Sequence, residues 1–418
     1  MKKLFVLTLT LMLSVALTVT PSQAGELDVL VEKLVDKGVL TPIEADIIKD
    51  ETKQQVAAEV TAGKSYAVPS WVQKLKIKQD FRLRHQWERK NSDDEGRNRT
   101  RIRYRLGLQS KIAKNVSLAA GLATGGSDSR STNETLEDAF DTPDIRLDYA
   151  YAEWTPEAID GLTLVGGKHK RKPFLWLPTD MLWDSDVNPE GFAANYQTDL
   201  SDDVAFFGNA AYWLVDHIDQ NDPDPSVVVL QGGLSGKGEK LDAKGAVAYH
   251  NFKGLKGRAA VPNTGGTNTT GGGVITNDYN TVSLGAEVGV KKLFGGLPFN
   301  ADERIAVFGE WVKNNDVTTA TGDSGYAVGV KFGHKKVKKP GNWQFKYQHV
   351  ELERDAFVDF TPDSDRLGGD TNVESEEFAF KYAMKKNVIF GLDYYISDTE
   401  TGTSDEEHLL QADLLLKF

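Results

Sequence analysis

The 418-residue chain contains no cysteine, so no disulfide framework, thiolate nucleophile or thiolate metal site is available to it. Beyond its first twenty or so residues no run of eighteen or more apolar residues occurs, which excludes a helical membrane span from the remainder. Positive charge is outnumbered: 49 Lys and Arg face 61 Asp and Glu, and a net charge of −12 leaves no nucleic-acid footprint. The seven histidines are dispersed, no HExxH occurs, and no spacing suggests a Ser-His-Asp triad. The Gly-rich stretch at 265–273 lacks the Lys-Ser/Thr of a phosphate loop. These absences predict a protein that is not an enzyme and uses neither cofactor nor metal.

What is present begins with an address. Lys2 and Lys3 precede an apolar run from Leu4 to about Val19, and Ser22-Gln23-Ala24 follows Pro21, the pattern of a secretory signal peptide over 1–24. Residues 25–65 read as helical. Leu27, Leu30, Val31 and Leu34 recur at helical spacing, Gly38 stands where a C′ glycine belongs, and Thr41-Pro42-Ile43-Glu44 has the form of a capping box. A linker over 66–73 separates this segment from a unit predicted over 74–418.

From Lys74 onward the period changes from 3.6 to 2. In RNRTRIRYRLGLQSK (97–111), Arg97, Arg99, Arg101, Arg103 and Arg105 alternate with Asn98, Thr100, Ile102, Tyr104, Leu106 and Leu108. A strand of this kind has one apolar and one guanidinium face, and the charged face needs water, either in bulk or in a lumen. Fourteen further alternating runs follow the pair at 74–88 and 97–111, from Val116–Thr124 to His408–Phe418, and predict sixteen strands. Short links (114–115, 201–203, 385–387) alternate with long polar ones (125–143, 252–278, 352–374), as in a barrel with one trimmed rim and one elaborated rim. The last run places His408, Leu410, Ala412, Leu414, Leu416 and Phe418 on one face, ending on the aromatic Phe418. The fold class predicted is all-β, a transmembrane antiparallel barrel of about 16 strands preceded by a short α-helical segment. The even count puts both barrel ends on the periplasmic side.

On these features the chain resembles bacterial outer-membrane porins, more closely the Putative porin families in which a helical, coiled-coil-like region precedes the barrel. The stretches VGGKHKRKPF (165–174) and LWDSDVNPEGFAANY (182–196) are also similar to the phosphate-selective type. The resemblance implies an outer-membrane location, passive diffusion of small solutes and homotrimers. Outer-membrane lipid and lipopolysaccharide are the expected surroundings.

For such a barrel the alternation assigns Lys76, Arg82, Arg84, Arg99, Arg101, Arg103 and Arg105 to the pore lining, as a positive wall that favours anions. The loop over 172–189 follows the fifth strand and carries Asp180, Asp184 and Asp186; either it folds inward and sets those carboxylates against the arginines across a constriction, or it stays an extracellular loop with solvated acids. The remaining long loops hold acids, among them Asp363 and Asp365, expected to stay solvated or else to bind divalent cations together with lipopolysaccharide. A second reading makes the barrel an anchor whose helices over 26–60 tether it to peptidoglycan or a periplasmic partner.

Overall fold

A computed structural model describes residue 31 and residues 33–51, 74–92, 95–218, 223–259, 266–291, 303–317 and 322–418. The expected signal peptide (1–24), the linker (66–73) and residues 52–65 of the expected helical segment lie outside the described residues. The chain divides into two compact units, Met1–Gln73 and Lys74–Phe418.

In the first unit, helical residues 33–36 stop at Gly38, whose φ of +68° is left-handed. The Gly38 amide donates to the Val35 carbonyl (2.9 Å) and the Val39 amide to the Leu34 carbonyl (3.0 Å), which closes a Schellman end. Thr41 and Glu44 then cap helical residues 42–51 reciprocally. The Thr41 amide donates to Glu44 Oε2 (2.8 Å) and the Glu44 amide to Thr41 Oγ1 (3.3 Å). Ile43 and Ile47, one turn apart, are exposed.

The second unit is a closed antiparallel barrel of sixteen strands. They are β1 Lys76–Lys90, β2 Arg97–Lys111, β3 Val116–Thr124, β4 Ile145–Trp154, β5 Leu162–Lys168, β6 Glu190–Asp199, β7 Val204–Leu214, β8 Ser226–Lys237, β9 Leu241–Lys253, β10 Tyr279–Lys291, β11 Glu303–Asn314, β12 Ser324–His334, β13 Trp343–Leu352, β14 Val373–Lys385, β15 Val388–Thr399 and β16 Glu407–Lys417. Each pairs with its neighbours in the chain, and β16 returns to β1 in a register from Asp80↔Lys417 to Lys90↔Glu407. No strand edge is left open along this seam, which is what allows a sheet to sit in hydrocarbon. Because β3 is six residues shorter than β2, a two-residue strand at Glu134–Thr135 continues the ladder beside Arg101 and Ile102.

Alternation divides the faces. Leu108, Leu122, Leu147, Phe192, Leu230, Val247, Leu284, Val307, Val328, Phe345, Phe378 and Leu392 are exposed on the outside, an apolar belt that water would not tolerate but acyl chains match. The inner face is polar over much of its area. In one sector it is apolar instead: Val227 and Val229 of β8, Phe252 of β9 and Val350 and Leu352 of β13 are buried there. Two segments cover that sector. One is the link 169–189 after β5, with Leu175, Met181, Leu182 and Trp183; the other is the link 353–372 after β13, with Ala356, Phe357 and Val358. Trp183 packs edge-on to Trp213 (5.4 Å) and Phe357 (6.3 Å), so the two links meet each other as well as the wall.

Tyr149 of β4 also points inward, and its ring lies against two glycines. A Cβ at Gly121 would fall 2.2 Å from the ring, and one at Gly107 would fall 2.4 Å from its hydroxyl. The ring thus needs both positions empty. Tyr149 and Trp213 are buried on the inner side although Trp311 is exposed on the outer one; aromatic character alone does not choose a face.

Candidate functional site

The arginine ladder is built by the register of β1 and β2. Arg82↔Arg103 and Arg84↔Arg101 are directly opposed, so like charges stand side by side on one face, which is costly without counter-charge. The counter-charge comes from three directions. Across the seam, Asp413 of β16 accepts two hydrogen bonds from Arg84, at 2.7 and 2.9 Å, and lies 3.6 Å from Arg82. Within the ladder, Asp80 pairs with Arg103 (3.0 Å) and Arg105 (2.8 Å), and Glu88 with Arg99 (2.6 Å). From the links, Asp186 meets Arg105 (3.1 Å) and Asp365 meets Arg84 (3.4 Å). The expected wall of uniform positive charge is therefore corrected to an interleaved one: guanidiniums this buried require partners, and the fold supplies carboxylates.

Arg101 differs from its neighbours. Its guanidinium donates to the Asn133 carbonyl at 3.4 Å, and among the described residues no carboxylate forms an ion pair with it. Arg82 donates to the Asn133 side chain and shares Asp413 with Arg84. Lys76 is exposed at the start of β1, at the rim rather than within the ladder.

The link 169–189 reaches strands all round the barrel. Trp176 exchanges two hydrogen bonds with the Gln231 side chain of β8, Thr179 donates to Glu310 of β11, and Gln348 of β13 donates to Asp180 (3.4 Å). These partners alternate with lipid-side residues such as Leu230 and Trp311, so the segment crosses the interior. Of the three aspartates expected to oppose the arginines, only Asp186 does so. Asp180 pairs instead with Arg366 (2.8 Å), and Asp184 accepts from the Ser364 and Asp186 amides at 3.1 and 2.7 Å.

Two carboxyls two residues apart are driven in opposite directions. Burial raises Asp184, and the neighbouring Asp186 charge adds to that rise. Burial raises Asp186 too, but Arg103, Arg105 and Arg82 more than offset it and hold it below the usual carboxylate range.

Asp363 and Asp365, expected to be solvated, are drawn inward with the link 353–372. Asp363 is buried against Arg366 (2.9 Å), and Asp365 accepts from Gln411 (2.8 Å) as well as from Arg84. Arg366 is the hub that sequence reasoning missed: it binds Asp180, Asp363 and Glu377 of β14 (2.5 Å) and lies over the Tyr395 ring. Nothing in its local sequence marks it. Two lysines lie over rings, Lys170 over Tyr149 (4.3 Å) and Lys244 over Phe207 (4.2 Å) and Trp176 (5.0 Å). The arrangement is a barrel interior lined by paired charges and narrowed by two pinned segments.

Comparison with known proteins agrees. The family model described as Putative porin matches residues 89–282 and 291–418. No curated protein matches the sequence. Among solved structures, OprB of Pseudomonas putida, a high-pH structure, is similar at 8% identity with a TM-score of 0.55, over 83% of this chain and 95% of that one. A mutant porin of Rhodopseudomonas blastica (10% identity, TM-score 0.45, 82% and 100% coverage) and a loop-deletion mutant of the Vibrio cholerae outer-membrane protein OmpT (11%, 0.46, 82% and 100%) also match. At such identities the likeness to OprB shows the barrel fold alone, whereas the family match spans most of the chain. The closed barrel, its apolar belt and that match make the chain an outer-membrane channel belonging to the Putative porin family.

Proposed function

We infer that this channel passes small hydrophilic solutes by passive diffusion and favours anions over cations. The observation that carries the reading is Arg101, a positive charge on the ladder face that forms no ion pair with a described carboxylate. Lys170 and Lys244, set over aromatic faces, add further positive charge. Fixed cations in a narrow bore raise the local anion concentration, within a screening length of ~8 Å at physiological salt. Asp80, Asp186 and Asp413 limit the effect, so the preference is moderate and polar solutes meet alternating charge.

The test is the reversal potential of the purified full chain in planar bilayers under a KCl gradient. Anion selectivity is expected, falling toward neutrality in Arg101→Ala; cation selectivity in the wild type, or no change on that substitution, defeats the reading.

The exposed pair Ile43 and Ile47 favours a second role for the first unit, as a periplasmic segment that joins copies into trimers or tethers the barrel to peptidoglycan. Deleting residues 26–65 separates these roles. Lost trimers with intact conductance assign assembly, and lost cell-wall pull-down assigns tethering.

A further inference from the structure

The outer face of the barrel changes character over three successive registers on β13 and β14. Tyr347↔Phe378 are paired rings 5.3 Å apart; then His349↔Glu376; then Glu351↔Glu374. Gln348, Val350 and Leu352 between them are buried inward, as are Ser375 and Glu377, so the His and Glu side chains point away from the bore. On the adjoining strand Tyr326 stands opposite Glu351. This is the end of the strands that leads into the long links, where the apolar belt gives way to polar surroundings.

Two carboxylates directly across an antiparallel pair repel one another, and among the described residues no Lys or Arg pairs with Glu351, Glu374 or Glu376. One imidazole, that of His349, is the ion-pair partner of Glu351 and Glu376. Its two nitrogens have different neighbours: Nδ1 lies 2.9 Å from Glu376 Oε1, and Nε2 lies 3.2 Å from Glu351 Oε1. A carboxylate only accepts, so each ring nitrogen that faces one carries a proton in the metal-free protein; a cation at Nε2 displaces that proton, while Glu376 keeps the one on Nδ1 and orients the ring toward Glu351 and Glu374. One ligand atom each from His349, Glu351 and Glu374 lies within 4.8 Å of the others. Bonds of ~2.0–2.2 Å to a tetrahedral ion set its ligands about 3.4 Å apart, so a modest swing of the exposed Glu374 completes the fit. The Tyr326 hydroxyl donates to Glu351 Oε1 (2.6 Å) and orients that carboxylate. A carboxylate behind one imidazole nitrogen, with the other nitrogen facing two carboxylates, is the outer-shell arrangement that metal-binding histidines use.

We propose that His349 Nε2, Glu351 and Glu374 form a divalent-cation site on the outer surface of the barrel, with Glu376 as its positioning residue. One nitrogen with two carboxylate oxygens suits a first-row ion of the Zn²⁺ class, and water fills the remaining positions. The ion neutralises a row of like charge at the edge of the hydrocarbon. The site lies outside the bore and is independent of solute selection.

The experiment is isothermal titration of the full chain, folded in detergent micelles, with Zn²⁺, and with Co²⁺ as a spectroscopic probe of nitrogen and oxygen ligation. One equivalent is expected to bind the wild type. His349→Ala weakens binding at least tenfold, and Glu376→Gln weakens it ~10–100-fold while keeping the cobalt spectrum of a nitrogen-containing shell. Bilayer conductance stays at the wild-type value in each variant, which also shows that the barrel has folded. Should His349→Ala fail to fold, Glu374→Gln, altered at an exposed side chain, is expected to give the same tenfold loss. Wild-type protein that takes up no stoichiometric Zn²⁺, or variants that titrate like it, overturn the site. An imidazolium shared by Glu351 and Glu376 then accounts for the geometry.

Discussion

At the scale of single residues, the interior is governed by the cost of desolvating charge. Arg84 is almost fully enclosed and held by Asp413 in a two-point contact, so removing Asp413 leaves it only the longer contact with Asp365. Asp413→Ala is expected to cost about 3–5 kcal/mol in urea-driven unfolding from lipid, whereas replacing both residues by Leu recovers most of that loss. Equal losses in the single and double variants would contradict this. The arginine alternation was legible because a period of two survives any tertiary context. The pairing was not: Arg84 and Asp413 are 329 positions apart, and no local pattern announces a partner at that distance.

At the scale of elements, the sixteen strands follow from alternation and turn residues, and their predicted bounds fall within a few residues of those observed. The inward course of the two links was only half legible. The loop predicted over 172–189 follows the right strand and carries acids that enter the interior, but Asp180 and Asp184 meet Arg366 and the Ser364 amide there instead of the arginine ladder. The link 353–372 was read as solvated. A signal existed: Val227, Val228, Val229 and Leu230 break the alternation of β8, and Ala356, Phe357 and Val358 sit in a loop that otherwise reads as polar. Where an inner strand face turns apolar, protein must cover it. Arg366 fastens this cover, so Arg366→Ala releases Asp180, Asp363 and Glu377 together. Larger and noisier single-channel currents are expected from that variant in planar bilayers; a trace identical to wild type would show that the link is held by its apolar contacts alone.

At the scale of the whole molecule, the inside and outside of one sheet face different solvents. Trp311 is 39% exposed on the outer face and Trp183 is 3% exposed within. In single-tryptophan proteins reconstituted with brominated lipid, fluorescence from Trp311 is expected to be quenched and that from Trp183 preserved, and the reverse order would invert the assignment of faces. The fold class was legible at this scale because closure, even strand number and rim asymmetry all leave marks in spacing.

The seam between β1 and β16 has one more consequence, for the order of events during folding. The carboxylate that pairs with Arg84 and lies beside Arg82 resides on the final strand, and the Phe418 amide and carbonyl both bond to Gln79. Until that strand arrives, the first strand's guanidiniums have no Asp413, and once it docks they attract it. The closing step of the cylinder is thus assisted by electrostatic attraction, and the earliest-made strand waits for the latest.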